Sequence, residues 1–321
     1  MAREPRRADA APSERGFIIV AVLWILVALS ALATIFSVYL SNSAQALAVT
    51  DTGLQTEALV SASLELTTYQ LLLAGDKARP ALGSFHFRLD KAEVLVSFTS
   101  EAARVDLNFA SREMLANLFA VLGADEKIAT EAADRIIGWR TQPKANAANE
   151  EEALYGASGL TYPPRQSLFT HVNELSLVLG VPPELVDRAL PFVTVFNGSP
   201  NVDVLIAPPE VIAALPGMTP AALNDFLKQR PALSRDQSAI AAALGPAAAS
   251  AAIPKSKSFR VLTTLSFDNG RRTSSEVVIA LGEDKEKDKD KDKDKGKDPY
   301  QVLSWQDDVE SGHRPRKLAG G

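Results

Sequence analysis

A continuous apolar run near the start of the chain constrains the fold more than any other feature. Residues 17–40 contain no charged side chain. A helix of that length spans about 36 Å at ~1.5 Å per residue, whereas the hydrocarbon core of a bilayer is about 30 Å thick. The run therefore predicts a tilted transmembrane helix, with the rest of the chain folded on one side of a membrane.

Two alternative interpretations of this run are a secretory signal peptide and an ordinary single-pass anchor. The apolar region of a signal peptide is roughly 7–15 residues long, whereas this one is longer and no charge comes after it until Asp51. Arg3, Arg6, Arg7 and Arg15 precede the run. Arginines on that side favour a cytoplasmic N-terminus and export of the residues beyond the run. An ordinary anchor stays open from this segment alone.

The junction Arg15-Gly16-Phe17, which opens the apolar run, resembles the leader of type IV prepilins. In that family a membrane aspartic peptidase cuts after the glycine, and the new N-terminal residue is then methylated. The resemblance implies cleavage between Gly16 and Phe17 and methylation of Phe17. A glycine suits such a site because a residue without a side chain lets the backbone enter a tight active site.

One position departs from that family. Pilins usually carry glutamate as the fifth mature residue, where this chain has Ala21. In pilins this carboxylate is thought to pair with the free amine of the subunit ahead in the fibre, and an unpaired charge at membrane depth is costly. The missing acid therefore implies a subunit with no neighbour ahead of it, at the tip of a fibre.

A long helix and two β-hairpins are predicted outside the middle of the chain. Apolar residues recur at steps of three and four over residues 47–72, and Gly75 can cap the helix end. Alternating apolar residues around Asp90-Lys91 predict the first hairpin. Asn269-Gly270 between alternating runs predicts the second, and residues 300–305 predict a last strand.

A tract of acids and lysines occupies residues 283–298. It holds eight acidic residues and seven lysines, cannot bury apolar surface, and is predicted to be a solvated loop. Asp290, Asp292 and Asp294 have the one-three-five spacing of a calcium-binding EF-hand loop. Because Lys295 stands at the sixth position, where that loop requires glycine, no calcium site is predicted there.

Between the hairpins, residues 105–253 have helical patterns and contain an internal repeat. Residues 105–118 align with residues 202–215, which lie 97 positions further on. Ser111 can cap the first helix of the repeat, and Pro208 or Pro209 can open the second. Glycine turns at Gly123, Gly180 and Gly217 separate predicted helices.

Helix–glycine turn–helix units are also typical of helix-hairpin-helix proteins, whose turns offer backbone N–H groups to a phosphate. The alternative function is therefore a membrane-anchored, exported DNA-binding protein of the DNA-uptake receptor kind. Residues 101–200 hold 13 acidic and 8 basic residues, a net charge of −5, whereas phosphate binding requires positive charge. The glycines are therefore predicted to be structural, and no nucleic-acid partner is expected.

Composition argues against catalysis. The chain has no cysteine, which excludes disulfides, iron–sulfur clusters, thiolate zinc sites and cysteine nucleophiles. Its three histidines are far apart, and the common nucleophile, phosphate-loop and zinc-protease motifs are absent from the sequence. His171, close to Glu174, is explained as a polar residue at the start of a helix. No enzyme activity and no catalytic residue are predicted.

The order of these parts resembles the family of general secretion pathway protein K, the large minor pseudopilin of type II secretion systems. The resemblance covers nearly the whole chain. It is carried by Gly16-Phe17 with Ala21, residues 105–111, Gly138-Trp139-Arg140, residues 172–180 and residues 201–211. It implies an α+β fold: a pilin-like transmembrane spine helix packed on a small antiparallel sheet, interrupted by a large all-α insert of duplicated helix-turn-helix units similar to SAM and helix-hairpin-helix domains.

The resemblance also implies a place and partners. The place is the tip of a pseudopilus, with a single pass through the inner membrane and a periplasmic domain. The partners are the minor pseudopilins I, J and H, the prepilin peptidase, the secretion platform of the inner membrane, and the lipid bilayer.

Some relatives carry a disulfide and bound calcium in the helical region. This chain cannot form the disulfide, and its acidic run at residues 149–152 is predicted to be a solvated loop. No cofactor is predicted, and calcium is the one ion that the resemblance implies.

The predicted domain organisation has eight segments. These are a leader (1–16), a transmembrane helix (17–40), the periplasmic part of the spine helix (41–75), a β-hairpin (76–104), two helical subdomains (105–198 and 199–256), C-terminal strands (257–306) that include the charged loop (283–298), and a flexible tail (307–321).

Overall fold

The computed structural model describes residues 15–143, 149–251, 256–282 and 298–307. The chain divides into two compact units, residues 1–59 and 60–321. Helix α1 (Arg15–Leu73) is 59 residues long and confirms the predicted long helix. Gly75, two residues beyond its end, has φ +64°, the left-handed conformation that commonly ends a helix.

The second unit contains one antiparallel sheet. The strands among the described residues are β1 (Leu82–Leu89), β2 (Ala92–Ser100), β3 (Val105–Asp106), β4 (Val193–Thr194), β5 (Ser258–Phe267), β6 (Arg272–Leu281) and β7 (Tyr300–Asp307). Five of them form the sheet in the order β1-β2-β5-β6-β7, with every neighbouring pair antiparallel. The two predicted hairpins and the last strand are confirmed. Asp90 (φ +51°) and Gly270 (φ +84°) supply the left-handed residues of the two turns.

Within the second unit, residues 60–73 of α1 present a buried stripe. Val60, Leu64 and Leu71 are at most 1% exposed and recur at helical steps. The buried residues of the sheet alternate along its strands, as on β5, which gives one face to the core. The hydroxyl of Tyr300 on β7 donates to the Glu65 carboxylate at 3.2 Å. The predicted α+β class, with a spine helix and an antiparallel sheet, is confirmed.

The remaining helices lie between Ala74 and β5. They are α2 (Gly75–Ala78), α3 (Arg112–Val121), α4 (Glu126–Arg140), α5 (Glu150–Ala157), α6 (Pro183–Ala189), α7 (Pro209–Ala213), α8 (Pro220–Gln229) and α9 (Gln237–Leu244). The helices α3 to α9 form an insert, and buried residues from Val105 to Ala251 make one continuous core within it. The two predicted helical subdomains therefore share a hydrophobic core. The predicted caps are also present, since Ser111 Oγ accepts the Met114 N–H and Pro209 opens α7.

The prediction that the insert is all-helical is wrong in one respect. β3 and β4 form a short parallel pair, Val105 with Val193 and Asp106 with Thr194, and Val202 forms an isolated parallel bridge with Ala251. Two-residue strands are too short to produce an alternating pattern in the sequence. They close each half of the insert at the corresponding position of the repeat.

The charged tract falls outside the described residues at 283–297, and with it the positions compared with an EF-hand loop. The strands on either side of the tract are joined at its base, where the Gly282 N–H donates to the Pro299 carbonyl at 2.9 Å. This hydrogen bond holds the end of β6 next to the start of β7.

Candidate functional site: the membrane helix and the helical insert

The described part of α1 contains one span that is long and apolar enough to cross a membrane, Ile19–Ser43. It has 25 residues and a mean hydropathy of 2.7, and no residue of its most apolar window is buried within the protein. At ~1.5 Å per residue the span reaches about 37 Å, enough for a bilayer core of about 30 Å. These properties fit a single-pass membrane anchor.

The residues of the predicted leader junction lie at the start of this helix. Gly16 and Phe17 fall in the first turn of α1, and residues 1–14 of the leader lie outside the described residues. Ala21, half-exposed, lies within the membrane span. Cleavage at Gly16, methylation of Phe17 and the role of Ala21 stay predictions.

In the insert, the first copy of the repeat is organised around the buried carboxylate of Asp106. Its Oδ1 accepts the N–H of Asn108 and its Oδ2 the N–H of Gly198, both at 2.8 Å. Burial raises the pKa of Asp106, and these backbone hydrogen bonds offset part of the rise. Arg140, the last residue of α4, donates to the Ala110 carbonyl at 2.7 Å. Together these bonds fix the turn that leads into α3.

The second copy reproduces the arrangement. Asp203 stands 97 positions after Asp106, and its Oδ1 accepts the N–H of Leu205 at 3.1 Å. Arg230 donates to the Ala207 carbonyl at 2.8 Å, as an arginine does in the first copy. The repeat predicted from the sequence is therefore also a repeat of hydrogen bonds.

The glycine turns are structural. Gly123, Gly180 and Gly217 have φ of +91°, +75° and +78°, which favours glycine over any other residue. The N–H groups of Gly123 and Ala124 donate to carbonyls of α3 at 3.0 Å. Because these donors are already engaged, this turn does not offer them to a phosphate.

The acidic run at residues 149–152 is not a solvated loop, so that prediction is wrong. Asn149 caps α5 by accepting the Glu152 N–H at 3.2 Å, and the three glutamates form the first turn of this helix. Glu151 pairs with Arg135 of α4 at 2.7 Å and its side chain is only 16% exposed. Acidic residues stabilise a helix N-terminus through the helix dipole, which explains the run without a metal. Within the described ranges, no group of three or more His, Cys, Asp or Glu residues is placed to hold a metal ion.

His171 has the structural role predicted for it. Its Nδ1 accepts the Asn173 N–H at 3.1 Å, at the start of the 3₁₀ helix Val172–Leu177. Trp139 is 4% exposed, and its Nε1 donates to the Glu174 carboxylate at 3.3 Å. His171 therefore caps this 3₁₀ helix, and Trp139 packs in the core of the insert.

No pattern in the sequence points to Glu101. This residue is fully buried where the chain passes from β2 into the insert, and it pairs with Arg260, 159 residues away. An acid in a short linker, next to two alanines, carries no periodic or motif signal, so nothing local in the sequence indicates its burial.

The fold defines a class: an α+β protein with a membrane-spanning helix, a pilin-like antiparallel sheet and a helical insert between two neighbouring strands. Residues 95–198 match the family described as type II secretion system (T2SS), protein K. The predicted resemblance to that family is therefore confirmed, and the match lies on β2 and the first half of the insert.

A solved structure has the same fold. A chain in the crystal structure of the GspK-GspI-GspJ complex from the type 2 secretion system of enterotoxigenic Escherichia coli superposes with a TM-score of 0.59. The two chains are 15% identical, and the match covers 80% of this chain and 98% of that one. No curated protein matches the sequence.

Proposed function

We propose that this chain is the minor pseudopilin at the tip of a type II secretion pseudopilus. There it nucleates and caps the fibre that exports folded proteins across the outer membrane, as a structural part and not as an enzyme. The observation that carries the proposal is an apolar span with Ala21 at the position of the pilin glutamate, on a chain with a pilin-like sheet and a large insert. A subunit with no neighbour ahead has no partner for a carboxylate in the membrane, and the insert adds bulk that a subunit stacked above would have to avoid.

The proposed location is the inner membrane, with the N-terminus in the cytoplasm and the residues after the span in the periplasm. Four arginines precede Ile19–Ser43, and positive residues flanking a span favour the cytoplasmic side. A prepilin peptidase acting on that side would cut between Gly16 and Phe17, and Phe17 would then be methylated.

The proposed partners are the minor pseudopilins I, J and H, the prepilin peptidase, the inner-membrane secretion platform and the bilayer. The solved chain with this fold was crystallised as part of a GspK-GspI-GspJ complex, which supports I and J. No residue in the most apolar window of the span is buried within the protein, and such helices associate in a bilayer by close packing. No nucleic acid is among the proposed partners.

Cysteine cross-linking in cells tests the tip position. The chain has no cysteine, so Leu54→Cys on α1, where the side chain is 61% exposed, introduces a single reactive site. We expect cross-links to pseudopilins that lie on one side of this subunit only. Lys127→Cys on α4, with a side chain 86% exposed, is the control and should give no pseudopilin cross-link. Cross-links to subunits both ahead and behind would refute the tip position.

The leader is tested separately by Gly16→Ala. We expect the variant to retain residues 1–16 because a β-carbon at the cleavage position obstructs entry of the backbone into the peptidase. Mass spectrometry of the purified chain measures the retained leader. Gly53→Ala is the matched control, since Gly53 lies in the same helix with nothing within 4 Å of an added β-carbon. A wild-type chain that still begins at Met1 in cells would contradict the pilin assignment.

A further inference from the structure

The chain enters the insert from the sheet through one 3₁₀ turn, Glu101–Ala103. It lies between the end of β2 at Ser100 and the start of β3 at Val105. Ser100 Oγ accepts the Ala102 N–H at 3.3 Å and caps the turn. Glu101, Ala102 and Ala103 are all buried. A solvated linker between two parts would instead expose such a segment, so this turn belongs to the core of the junction.

From the sheet, the Glu101 carboxylate is held by Arg260 of β5. Arg260 Nε lies 2.8 Å from Oε1 and Nη2 lies 3.2 Å from Oε2, which is the two-pronged geometry that suits guanidinium and carboxylate. The third nitrogen, Nη1, pairs with Glu276 Oε1 of β6 at 2.6 Å. The side chain of Arg260 is 14% exposed. Strands β5 and β6 therefore hold a largely buried guanidinium group next to the turn.

From the insert, the same carboxylate receives two more groups. The Thr194 hydroxyl on β4 donates to Glu101 Oε2. Arg104 Nη1 lies 3.1 Å from Glu101 Oε1, and Arg104 Nε donates to the Pro191 carbonyl at 3.1 Å. The second copy of the repeat also reaches the turn, since the Asp203 N–H donates to the Ala102 carbonyl at 2.8 Å.

We propose that Glu101 is the positioning residue that sets the helical insert on the sheet in one orientation. Glu101 and Glu276 balance Arg104 and Arg260, and the Glu101 carboxylate is shared between a strand of the sheet and a strand of the insert. If the insert turned relative to the sheet, Thr194 would move away from Glu101 and Pro191 away from Arg104. The buried Glu101 carboxylate and the Arg104 guanidinium would then each lose a hydrogen-bond partner. An ion left unpaired at such depth is strongly unfavourable, so the network is complete in one arrangement only.

The role of Glu101 lies within the second unit and does not depend on what the insert binds. Only its consequence for assembly rests on the proposed function, in which the insert would present a fixed surface at the end of the fibre. Orientation can be measured in the isolated full chain. The outcome of that measurement is therefore independent of whether the tip assignment is correct.

The test measures a distance between the two parts. Glu93→Cys on β2 and Lys127→Cys on α4 place spin labels at side chains that are 72% and 86% exposed, in a chain without native cysteine. Pulsed electron paramagnetic resonance on the full chain in detergent gives the distribution of distances. We expect one narrow peak in this background, and loss of that single peak when Glu101→Gln is added.

A control variant and a conservative variant separate a change of orientation from a loss of stability. Asp225→Asn removes a carboxylate from an exposed pair with Lys228, in which the lysine and aspartate side chains are 78% and 69% exposed, and should leave the narrow peak unchanged. Arg104→Lys keeps the charge and loses the forked geometry, and should broaden the peak less than Glu101→Gln does. A narrow, unshifted peak in Glu101→Gln overturns the proposal. So does global unfolding of Glu101→Gln together with an unshifted narrow peak in Arg104→Lys, because the network would then serve stability and not position.

Discussion

Glu101 and Asp106 lie five positions apart and are both buried, yet their carboxyl groups differ in acidity. Burial alone raises the pKa of each. At Glu101 the guanidinium groups of Arg260 and Arg104 outweigh burial and hold the pKa below its ordinary value of 4.5. At Asp106 burial prevails over backbone N–H donors, and the pKa is raised. The Glu101 carboxylate is therefore stabilised mainly by the charges of two arginines, and the Asp106 carboxylate mainly by backbone N–H groups.

This difference predicts a pH dependence at the residue scale. Because its pKa is lower in the folded than in the unfolded chain, Glu101 stabilises the fold above about pH 4.5, and this contribution is lost as the pH falls through the folded value. Removing one partner of a buried ion pair costs about 3–5 kcal/mol at pH 7. We expect the difference in free energy of unfolding between wild type and Glu101→Gln to shrink as the pH falls below 4.5.

Denaturant unfolding at several pH values, with circular dichroism as the probe, measures this difference. Asp225→Asn is the control, because an exposed pair contributes less than about 1 kcal/mol. A difference for Glu101→Gln that stays constant from neutral to strongly acidic pH would show that the charge of Glu101 is not what stabilises the junction.

At the scale of elements, α4 and α5 approach each other closely at a glycine. A β-carbon on Gly138 would lie 2.4 Å from Cδ of Glu151, the residue that pairs with Arg135. The glycine of the Gly138-Trp139-Arg140 segment therefore makes room for an ion pair between two helices. The Glu151 side chain is 16% exposed, and this burial raises its pKa despite the ion pair.

Gly138→Ala is expected to stabilise the chain less than an unhindered Gly→Ala change in a helix, because the Glu151 side chain must move away from Arg135 to admit the β-carbon. Gly156→Ala in α5 is the matched control. Nothing lies within 4 Å of its added β-carbon, and the better helix propensity of alanine should stabilise by up to about 1 kcal/mol. Thermal unfolding compares the two variants. An equal gain in both would contradict the close approach at Gly138.

Sequence patterns predicted those elements whose signals are local. The two hairpins are indicated by alternating residues and by the turn residues between them, and Gly75 marks the end of α1. The β3–β4 pair was missed because Val105 and Val193 are distant in sequence and each strand has two residues. The helix at residues 150–157 was missed although its signals are local, since Asn149 caps it and three glutamates form its first turn.

In the candidate site, too, features with a local sequence signal were predicted, and features that depend on distant contacts were not. The membrane span and the repeat were predicted because each rests on contiguous sequence patterns, whereas the leader junction stays a prediction. The contacts of Glu101 with Thr194 and Arg260 exist only once β2, β4 and β5 are brought together by folding, so no single segment carries a sign of them.

For the whole molecule, the charged tract should be dispensable to folding. The Gly282 N–H donates to the Pro299 carbonyl where β6 and β7 are paired, and residues 283–297 contain no apolar side chain. Deleting them and joining Gly282 to Asp298 should leave the thermal midpoint within about 2 °C, because loop length has a small effect on closure entropy. Differential scanning calorimetry on the full chain measures the midpoint.

Gly282→Ala serves as the comparison for that deletion. An added β-carbon would lie 2.9 Å from the Asp298 carbonyl oxygen, so this variant should lower the midpoint although it removes no residue. If the deletion abolished cooperative unfolding, the tract would have to contribute to the folded state.

The order of the strands has one more consequence. The insert leaves the sheet from β2 and returns to it at β5, and these two strands pair directly with each other. A short hairpin loop in place of the insert would leave a simple up-and-down meander with every strand still beside its present neighbours. A helical module can therefore be gained, exchanged or lost at this point by a single genetic insertion or excision, without any strand being rethreaded.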